Sequence, residues 1–263
     1  MEKPSISLVI PMFNEEANIE HAIAYAVDAL SQHASDYEII IVDDASTDDS
    51  PELVRRAIAG NPRIRLIRHD FNQKLGASLR TGFAEAKNEL ILYMDADLPF
   101  DPEVLGRAIR AINVTRADVI TGYRFDRTTE GFKRTLYSVL YNWLIRALFR
   151  ISIRDVNFSF KLMRREVLKA IDLHSEGSLI DAELVVKARN RGFVIQQIGL
   201  DYFPRIRGES HLSSPGVIFK IFRELIRFYP EMRERVSHEE VQRVVREKRE
   251  AAVLADDRHP IET

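Results

Sequence analysis

The chain has 263 residues, of which 45% are hydrophobic and 30% charged, a balance typical of a globular protein with one large domain. Its formal net charge of -2 excludes a globally basic nucleic-acid-binding protein, so we expect no nucleic-acid partner and look for local clusters of lysine and arginine. The absence of cysteine excludes disulfides, thiolate metal sites and a cysteine nucleophile.

Short apolar runs alternate with amphipathic stretches along the first half of the chain, a pattern typical of βα units around a parallel sheet. Strands are predicted at 6–11, 37–43, 64–69, 89–94 and 118–122, and helices near 19–30, 51–59, 77–86 and 102–112. Two of these helices carry proline at their first position, after the capping residues Ser50 and Asp101. The predicted fold class is therefore α/β.

Acidic residues follow three predicted strands at the point where each strand ends. The first strand leads into PMFNE at 11–15, the second into the acids at 43–44, and the fourth into Asp95 and Asp97. Because α/β sheets bind ligands beyond the carboxyl ends of their strands, these residues are expected to converge on one crevice. If the fourth strand continues, both of its acids project to one face, and a divalent cation with oxygen ligands would relieve their repulsion.

The glycine-rich motifs that bind phosphates through backbone amides are missing from the sequence. Neither GxGxxG after the first strand nor GxxxxGK[ST] anywhere is present. A phosphorylated ligand at the acidic strand ends would therefore have to be neutralised by a metal ion and by cationic side chains.

The second half contains two basic amphipathic stretches. Residues 131–150 have apolar side chains at helical spacing, several basic residues and no acid, and a similar helix is predicted at 217–229. Such a helix can lie on an anionic membrane surface; alternatively, its apolar face packs on the sheet while its arginines are solvated. Between them we predict a strand leading into a helix at 157–168, a helix at 180–192 and a strand at 193–206.

Seven sequence blocks resemble the family-2 glycosyltransferases of the GT-A fold. The first three are SLVIPMFNEEANI, IIIVDDASTDDS and YMDADLPFDPEVL; TGYRFD, DVNFSFKLMRREVL, IDAELVVKARNRG and RIRGESHLS are similar to the branch that makes polyprenyl-phosphate sugars, typified by dolichyl-phosphate mannosyltransferase. The resemblance implies a Rossmann-like, mostly parallel sheet with flanking helices over 1–230. Its nucleotide-binding half would span about 1–122 and its acceptor half about 123–230, followed by a charged helical tail at 231–263.

The resemblance also implies roles for individual residues. Asp95 and Asp97 would be the catalytic pair, with Asp95 at the ribose or metal and Asp97 on the Mg²⁺ or Mn²⁺ that bridges the diphosphate. The residues implied at the nucleotide are Pro11, Phe13, Glu15, Asp44 and Ala96. Those implied around the two phosphate groups are Arg124, Lys187 and Arg205, and those that would grip an acceptor phosphate are Arg134 and Ser138. His211 is also implied as a substrate-binding residue.

Three positions depart from the family pattern. Pro99 stands where relatives commonly have a glutamine that contacts the metal or sugar. His211 replaces the lysine that ends the GESK of relatives, and Val139 replaces an arginine often found in the basic helix. These departures bear on the donor sugar and the acceptor grip; GDP-mannose is the donor we expect first and UDP-glucose the next.

The implied function is metal-dependent transfer of a hexose, mannose first, from a nucleotide diphosphate sugar to a polyprenyl (dolichyl or undecaprenyl) phosphate. One alternative is a family-2 enzyme that uses UDP-glucose or acts on a sugar hydroxyl, which requires a base such as Asp181 or Glu183. Another is a non-catalytic nucleotide-sugar-binding protein.

The expected location is the cytoplasmic face of a membrane. The chain enters an apolar run near its start, which leaves no room for a secretion signal, and no window approaches the roughly 18 apolar residues of a membrane span. Attachment would then depend on the two basic amphipathic helices or on a membrane-protein partner.

Overall fold

A computed structural model describes residues 3–97, 101–124, 132–200, 215–235, 239–241 and 243. The strands are β1 (Ser5–Met12), β2 (Asp36–Asp43), β3 (Ile64–Arg68), β4 (Leu90–Tyr93), β5 (Val119–Arg124), β6 (Lys161–Arg164) and β7 (Ile195–Leu200). The helices are α1 (Ile19–His33), α2 (Ser50–Gly60), α3 (Leu75–Glu85), α4 (Pro102–Thr115), α5 (Phe132–Phe149), α6 (Arg165–Ala170), α7 (Ile180–Asn190) and α8 (Pro215–Arg233). The predicted alternation of strands and helices is confirmed.

The strands described above form one sheet in the order β3-β2-β1-β4-β6-β5-β7. Strand β1 pairs in parallel with β2 and β4, and β2 with β3, so the carboxyl ends of these strands lie along one edge. Strand β6 runs antiparallel between β4 and β5 and places Lys161, its first residue, opposite Tyr93, the last residue of β4. The mostly parallel sheet predicted from the sequence is confirmed.

Apolar residues cover both faces of the sheet, as expected for strands that are buried on two sides. Along β1, Leu8 and Ile10 pack in one cluster with α1 and α4, whereas Val9 packs in the other with α3, α5, α7 and α8. Strand β4 alternates in the same way, with Leu92 on the first face and Tyr93 on the second. The side chain of Tyr93 therefore points to the layer that contains α7.

Helix ends follow the predicted signals with one exception. Asp101 caps α4, since its carboxylate accepts the N–H of Glu103 at 2.9 Å, and Gly192 follows α7 with a φ of +84°. Ser50, by contrast, is the first residue of α2 and not its cap. Its hydroxyl accepts the N–H of Glu15 at 2.8 Å, so it links the first helix turn to the loop after β1.

Candidate active site

The ends of β1, β2 and β4 are held in line by backbone hydrogen bonds across the sheet. The N–H of Asp44 donates to the carbonyl of Met12 at 2.8 Å, and the N–H of Met94 donates to the carbonyl of Val9 at 3.2 Å. The three acidic strand ends predicted from the sequence are therefore neighbours at one edge of the sheet.

The loop after β1 presents an exposed aromatic ring on a fixed backbone. Asn14 has a φ of +55°, and its N–H donates to the hydroxyl of Ser46 at 2.9 Å. Phe13, just before it, is 46% exposed, while Pro11 and Glu15 are half-buried. The arrangement suits stacking of a flat ligand on Phe13 at the edge where the acids lie.

Asp44 organises the loop that leads into α3. Its carboxylate is buried and accepts the N–H groups of Gln73 and Lys74 at 2.8 and 2.7 Å, and it lies 2.8 Å from Nδ1 of His69. A carboxylate has about four acceptor positions, so these contacts occupy most of them. Asp44 thus joins the end of β2 to the start of α3.

The DAD segment, residues 95–97, lies beyond the end of β4. The strand ends at Tyr93 and the chain turns at Ala96 and Asp97, so the strand does not continue and the condition for both acids to project to one face is not met. Asp95 and Asp97 are both half-buried, and Ala96 between them is buried. The Tyr93 hydroxyl donates to Oδ1 of Asp95 at 3.1 Å. Burial, together with the charges of Asp181, Asp95 and Asp97, raises the pKa of Tyr93, so its hydroxyl stays a proton donor.

A buried ion pair lies directly behind Tyr93. Lys161 is fully buried, its Nζ donates to Oδ1 of Asp181 at 2.5 Å and to the carbonyl of Phe158 at 2.6 Å, and it lies 5.4 Å from the centroid of the Tyr93 ring. Burial raises the pKa of Asp181 to about 6, Lys161 opposes that rise, and the charge of Asp95 adds to it. These four residues therefore form one charged cluster: Tyr93, Asp95, Lys161 and Asp181.

A second ion pair involves the predicted phosphate ligand Arg124. At the end of β5, Nε of Arg124 lies 3.3 Å from Oδ2 of the buried Asp155, and its guanidinium lies over the ring of Phe158 at 5.4 Å. The charge of Asp155 also raises the pKa of Asp181. Arg124 therefore belongs to the same charged cluster as Asp95.

The structure does not bring all of the predicted cationic residues to this cluster. Nζ of Lys187 contacts the carbonyl of Asp172 at 2.7 Å, Glu183 at 2.6 Å and Glu231 at 3.5 Å, which are partners from α7, α8 and the segment before α7. With three acceptors around a buried ammonium, Lys187 holds α7 and α8 together. Arg205 and His211 lie outside the described residues, as does the departure at Pro99.

On α5, the structure describes the backbone of Arg134 but not its side chain. Ser138 is half-buried on the same helix, and its carbonyl accepts the side-chain amide of Asn142 at 2.8 Å. Asn142 in turn accepts the N–H of Val156, one residue after Asp155, at 2.8 Å. This contact connects α5 to the segment that supplies one acid of the cluster.

The two candidate bases, Asp181 and Glu183, differ in the partners that occupy their carboxylate oxygens. Glu183 is fully buried and accepts the N–H groups of His174 and Ser175 and the ammonium of Lys187, so both of its oxygens are occupied within the protein. Asp181 lies instead in the cluster behind Asp95. Asp181 is the one of the two that the structure keeps as a candidate for proton transfer.

A divalent cation fits the end of β4 if the substrate completes its coordination. Within the described residues, no group of three or more His, Cys, Asp or Glu side chains could hold a metal. Mg²⁺ in phosphate-transfer sites usually takes one or two carboxylates, with waters and substrate phosphates as the other ligands. The two hard carboxylates of Asp95 and Asp97 match that requirement.

Three residues of the candidate site were not predicted from the sequence: Tyr93, Asp155 and Lys161. The signal for Lys161 is a lysine inside the apolar run NFSFKLM, because a lysine is almost never fully buried unless it is paired. No comparable signal marks Tyr93, which reads as an ordinary strand aromatic.

Curated relatives resemble much of this chain. The glycosyltransferase AglD of Haloferax volcanii is 30% identical over 207 residues, which cover 76% of this chain and 33% of AglD. A dolichol-phosphate mannosyltransferase of Pyrococcus furiosus is 29% identical over 228 residues, covering 84% of this chain and 63% of the relative. An undecaprenyl-phosphate 4-deoxy-4-formamido-L-arabinose transferase of Edwardsiella ictaluri is 32% identical over 168 residues, covering 63% and 51%. The chain thus spans between a third and just under two thirds of these relatives.

Solved structures share the fold. Glucosyl-3-phosphoglycerate synthase from Mycobacterium tuberculosis, in complex with Mn²⁺, UDP-glucose and phosphoglyceric acid, superposes with a TM-score of 0.66 at 22% identity, covering 84% of this chain and 79% of that one. The complex of the same protein with Mn²⁺, UDP and glucosyl-3-phosphoglycerate gives 0.64 at 22% identity, with the same coverage. The expected GT-A-like α/β fold is confirmed.

The family model for glycosyl transferase family 2 matches residues 7–172, more than half of the chain. The match contains the loop after β1, the acids after β2, the DAD segment and Lys161. The chain therefore belongs to glycosyl transferase family 2.

Proposed function

We propose that this glycosyltransferase moves a hexose from a nucleotide diphosphate sugar to a polyprenyl monophosphate, with GDP-mannose as the first donor to test and UDP-glucose the second. The observation that carries the proposal is the pair Asp95 and Asp97 at the end of β4, set against a buried charged cluster. The names of two relatives, a dolichol-phosphate and an undecaprenyl-phosphate transferase, support the choice of acceptor.

The residues of the cluster have distinct roles in this proposal. Asp95 and Asp97 would hold Mg²⁺ or Mn²⁺, which when bound acts as a Lewis acid on the departing diphosphate. The synthase from Mycobacterium tuberculosis that shares the fold was crystallised with Mn²⁺ and UDP-glucose together, which supports a divalent ion. Phe13 would stack on the base, Asp44 would fix the wall of the pocket, and Arg124 would add charge-assisted hydrogen bonds to phosphate oxygens.

A phosphate acceptor needs no base from the protein. The second pKa of a phosphate monoester is about 6, so its attacking oxygen is already largely anionic at neutral pH. The structure is consistent with this, because Glu183 is occupied by backbone N–H groups and Asp181 by Lys161. Arg134 and Ser138, both on α5, remain the proposed grip on the acceptor phosphate.

The outer face of α5 would let the protein reach a lipid acceptor at a membrane surface. Leu136, Leu140 and Trp143 follow one another at helical spacing and are 45%, 52% and 61% exposed, while Ile145 and Phe149 are buried against the core. The helix therefore has apolar side chains on both its inner and outer faces. Among the described residues no helix is long and apolar enough to cross a membrane. We propose peripheral attachment at the cytoplasmic face.

The test is a transfer assay with a short-chain polyprenyl phosphate and a panel of nucleotide sugars, with and without EDTA. We expect one sugar to be transferred and activity to vanish with EDTA. Asp97→Asn should reduce kcat/KM by about a hundredfold or more, whereas the matched change Asp118→Asn, at the opposite end of the sheet, should not. Nucleotide-sugar binding without turnover on any acceptor would support the non-catalytic alternative and refute the proposal.

A second candidate is transfer to a sugar or glycerate hydroxyl, with Asp181 as base. It is favoured by the raised pKa of Asp181, about 6, which suits a base near neutral pH, and by the fold shared with a synthase crystallised in complex with phosphoglyceric acid. At saturating Mn²⁺, Asp181→Asn should lower kcat for a hydroxyl acceptor by about a hundredfold or more and change lipid-phosphate transfer little. Mn²⁺ affinity, measured alongside, separates loss of a base from loss of the metal site.

A further inference from the structure

Lys161 is the buried cation of the site to which the proposed reaction gives no role. Its side chain is 0% exposed at the start of β6, opposite Tyr93 on β4 and Thr121 on β5. A buried ion pair such as Lys161–Asp181 adds little net stability compared with apolar side chains of the same volume. Stability alone is therefore a poor explanation for a fully buried lysine at the start of β6.

The surroundings of Lys161 fix the plane of a neighbouring ring. Nζ is held by Asp181 at 2.5 Å and by the Phe158 carbonyl at 2.6 Å, and from that position it lies 5.4 Å from the Tyr93 centroid. The ring of Phe83 also meets Tyr93 edge-on, with centroids 6.4 Å apart and planes at 79°. Tyr93 is 1% exposed, so its ring has little freedom to turn.

The fixed ring determines where the Tyr93 hydroxyl points. It donates to Oδ1 of Asp95 at 3.1 Å, which orients the carboxylate just beyond the strand end. Partners behind metal ligands commonly set ligand orientation in this way, and changing them costs about 10- to 100-fold in metal affinity.

We propose that Lys161 is a positioning residue for the metal site: anchored by Asp181 and Phe158, its ammonium holds Tyr93 so that the hydroxyl orients Asp95. The inference rests on the proposed function, because it assumes that Asp95 and Asp97 bind a divalent cation. It adds a route, Lys161 to Tyr93 to Asp95, by which a residue that does not touch the substrate sets metal affinity.

The experiment is a double-mutant cycle read by Mn²⁺ binding, with free Mn²⁺ followed by electron paramagnetic resonance in the presence of GDP or UDP. Lys161→Met and Tyr93→Phe should each weaken Mn²⁺ binding about 10- to 100-fold. The double variant should bind about as well as either single variant, because both changes interrupt one route. Effects that multiply in the double variant would mean that Lys161 acts independently of Tyr93, and would overturn the proposal.

Control variants distinguish weaker Mn²⁺ binding from loss of the fold. Lys187→Met removes a second buried lysine that is paired with a carboxylate on α7, and it should lower Tm without weakening Mn²⁺ binding. If circular dichroism shows Lys161→Met unfolded, Lys161→Met/Asp181→Asn, which leaves no buried charge without a partner, takes its place in the cycle. Wild-type affinity in that folded variant overturns the proposal.

Asp97→Asn separates the positioning role from the metal site itself. If it abolishes Mn²⁺ binding while Tyr93→Phe and Lys161→Met bind like the wild type, the positioning role alone is wrong. If the wild-type protein binds no Mn²⁺, the metal site of the proposed function fails, and this inference with it.

Discussion

Glu183 tests whether the acids of α7 are structural or catalytic. Its Oε1 accepts the N–H of His174 at 3.0 Å and the ammonium of Lys187 at 2.6 Å, and its Oε2 accepts the N–H of Ser175 at 2.8 Å. All of these partners belong to α7 or to the segment just before it. Glu183→Gln should therefore lower the stability of the fold and leave the chemistry unchanged.

The size of the effect follows from what remains around Lys187. Removing one partner of a buried ion pair costs about 3–5 kcal/mol of unfolding free energy. Lys187 would keep the Asp172 carbonyl at 2.7 Å and the half-exposed Glu231 at 3.5 Å, and glutamine still has one oxygen for the backbone N–H groups. We therefore expect the lower end, about 3 kcal/mol, which lowers Tm by about 6–12 °C in a chain of this size.

The assay compares thermal unfolding by circular dichroism with kcat measured well below both melting temperatures. Glu166→Gln, at an exposed position on α6, is the matched control and should change neither quantity. A roughly hundredfold fall in kcat for Glu183→Gln with an unchanged Tm would refute the reasoning, since that pattern identifies a base and not a structural carboxylate.

Three further predictions follow from packing, titration and surface exposure. Gly76→Ala places a methyl group against the Ser175 carbonyl and should cost about 1–3 kcal/mol by urea unfolding, whereas Gly60→Ala, with nothing within 4 Å, should not destabilise. The pKa of Asp181 is raised to about 6, so between about pH 4 and 6 the folded state binds a proton that the unfolded chain releases. The stability that protonated Asp181 adds to the fold is therefore complete below about pH 4 and is lost as the pH rises through 6. The Tm of Asp181→Asn relative to the wild type should accordingly increase over that range, and a flat difference would contradict the assignment. Trp143→Glu should weaken binding to phosphatidylglycerol vesicles about tenfold, while Val114→Glu, 77% exposed on α4, should change it less; equal losses would argue against α5 as the contact.

Most of the fold could be predicted because its strands are short apolar runs between strong helix signals. The proline at the start of α4, capped by Asp101, and the glycine after α7 mark element ends by local chemistry alone. The insertion of β6 antiparallel between β4 and β5 is different. Nothing local in KLMR encodes its partners, since the pairing depends on how the long connection through α5 returns to the sheet.

Some residues of the candidate site could likewise be predicted from the sequence and others could not. Residues at the ends of parallel strands could be gathered by topology, and Asp44, Asp95 and Asp97 do lie along one edge of the sheet. Lys187 was placed by resemblance alone, and the structure shows its ammonium held between α7 and α8. Lys161 could not be assigned to the site because its position depends on the antiparallel pairing of β6 with β4 and β5, although a strand at this place was predicted.

Two buried acids of the charged cluster, Asp181 and Asp155, are paired with cations, whereas Asp95 accepts from a neutral group. Asp181 is paired with Lys161 at 2.5 Å and Asp155 with Arg124 at 3.3 Å, so each of these buried acids has a cation beside it. Asp95 instead accepts a hydrogen bond from a neutral hydroxyl, that of Tyr93. A neutral donor orients a carboxylate without cancelling its charge, whereas a lysine or arginine in the same place would compete with a divalent cation. Because Lys161 and Arg124 balance the charges of Asp181 and Asp155, these two acids repel Asp95 less than they would without their cations. The deeper ion pairs thus leave Asp95, half-buried at the end of β4, as a carboxylate oriented by a neutral donor for the divalent cation that we propose there.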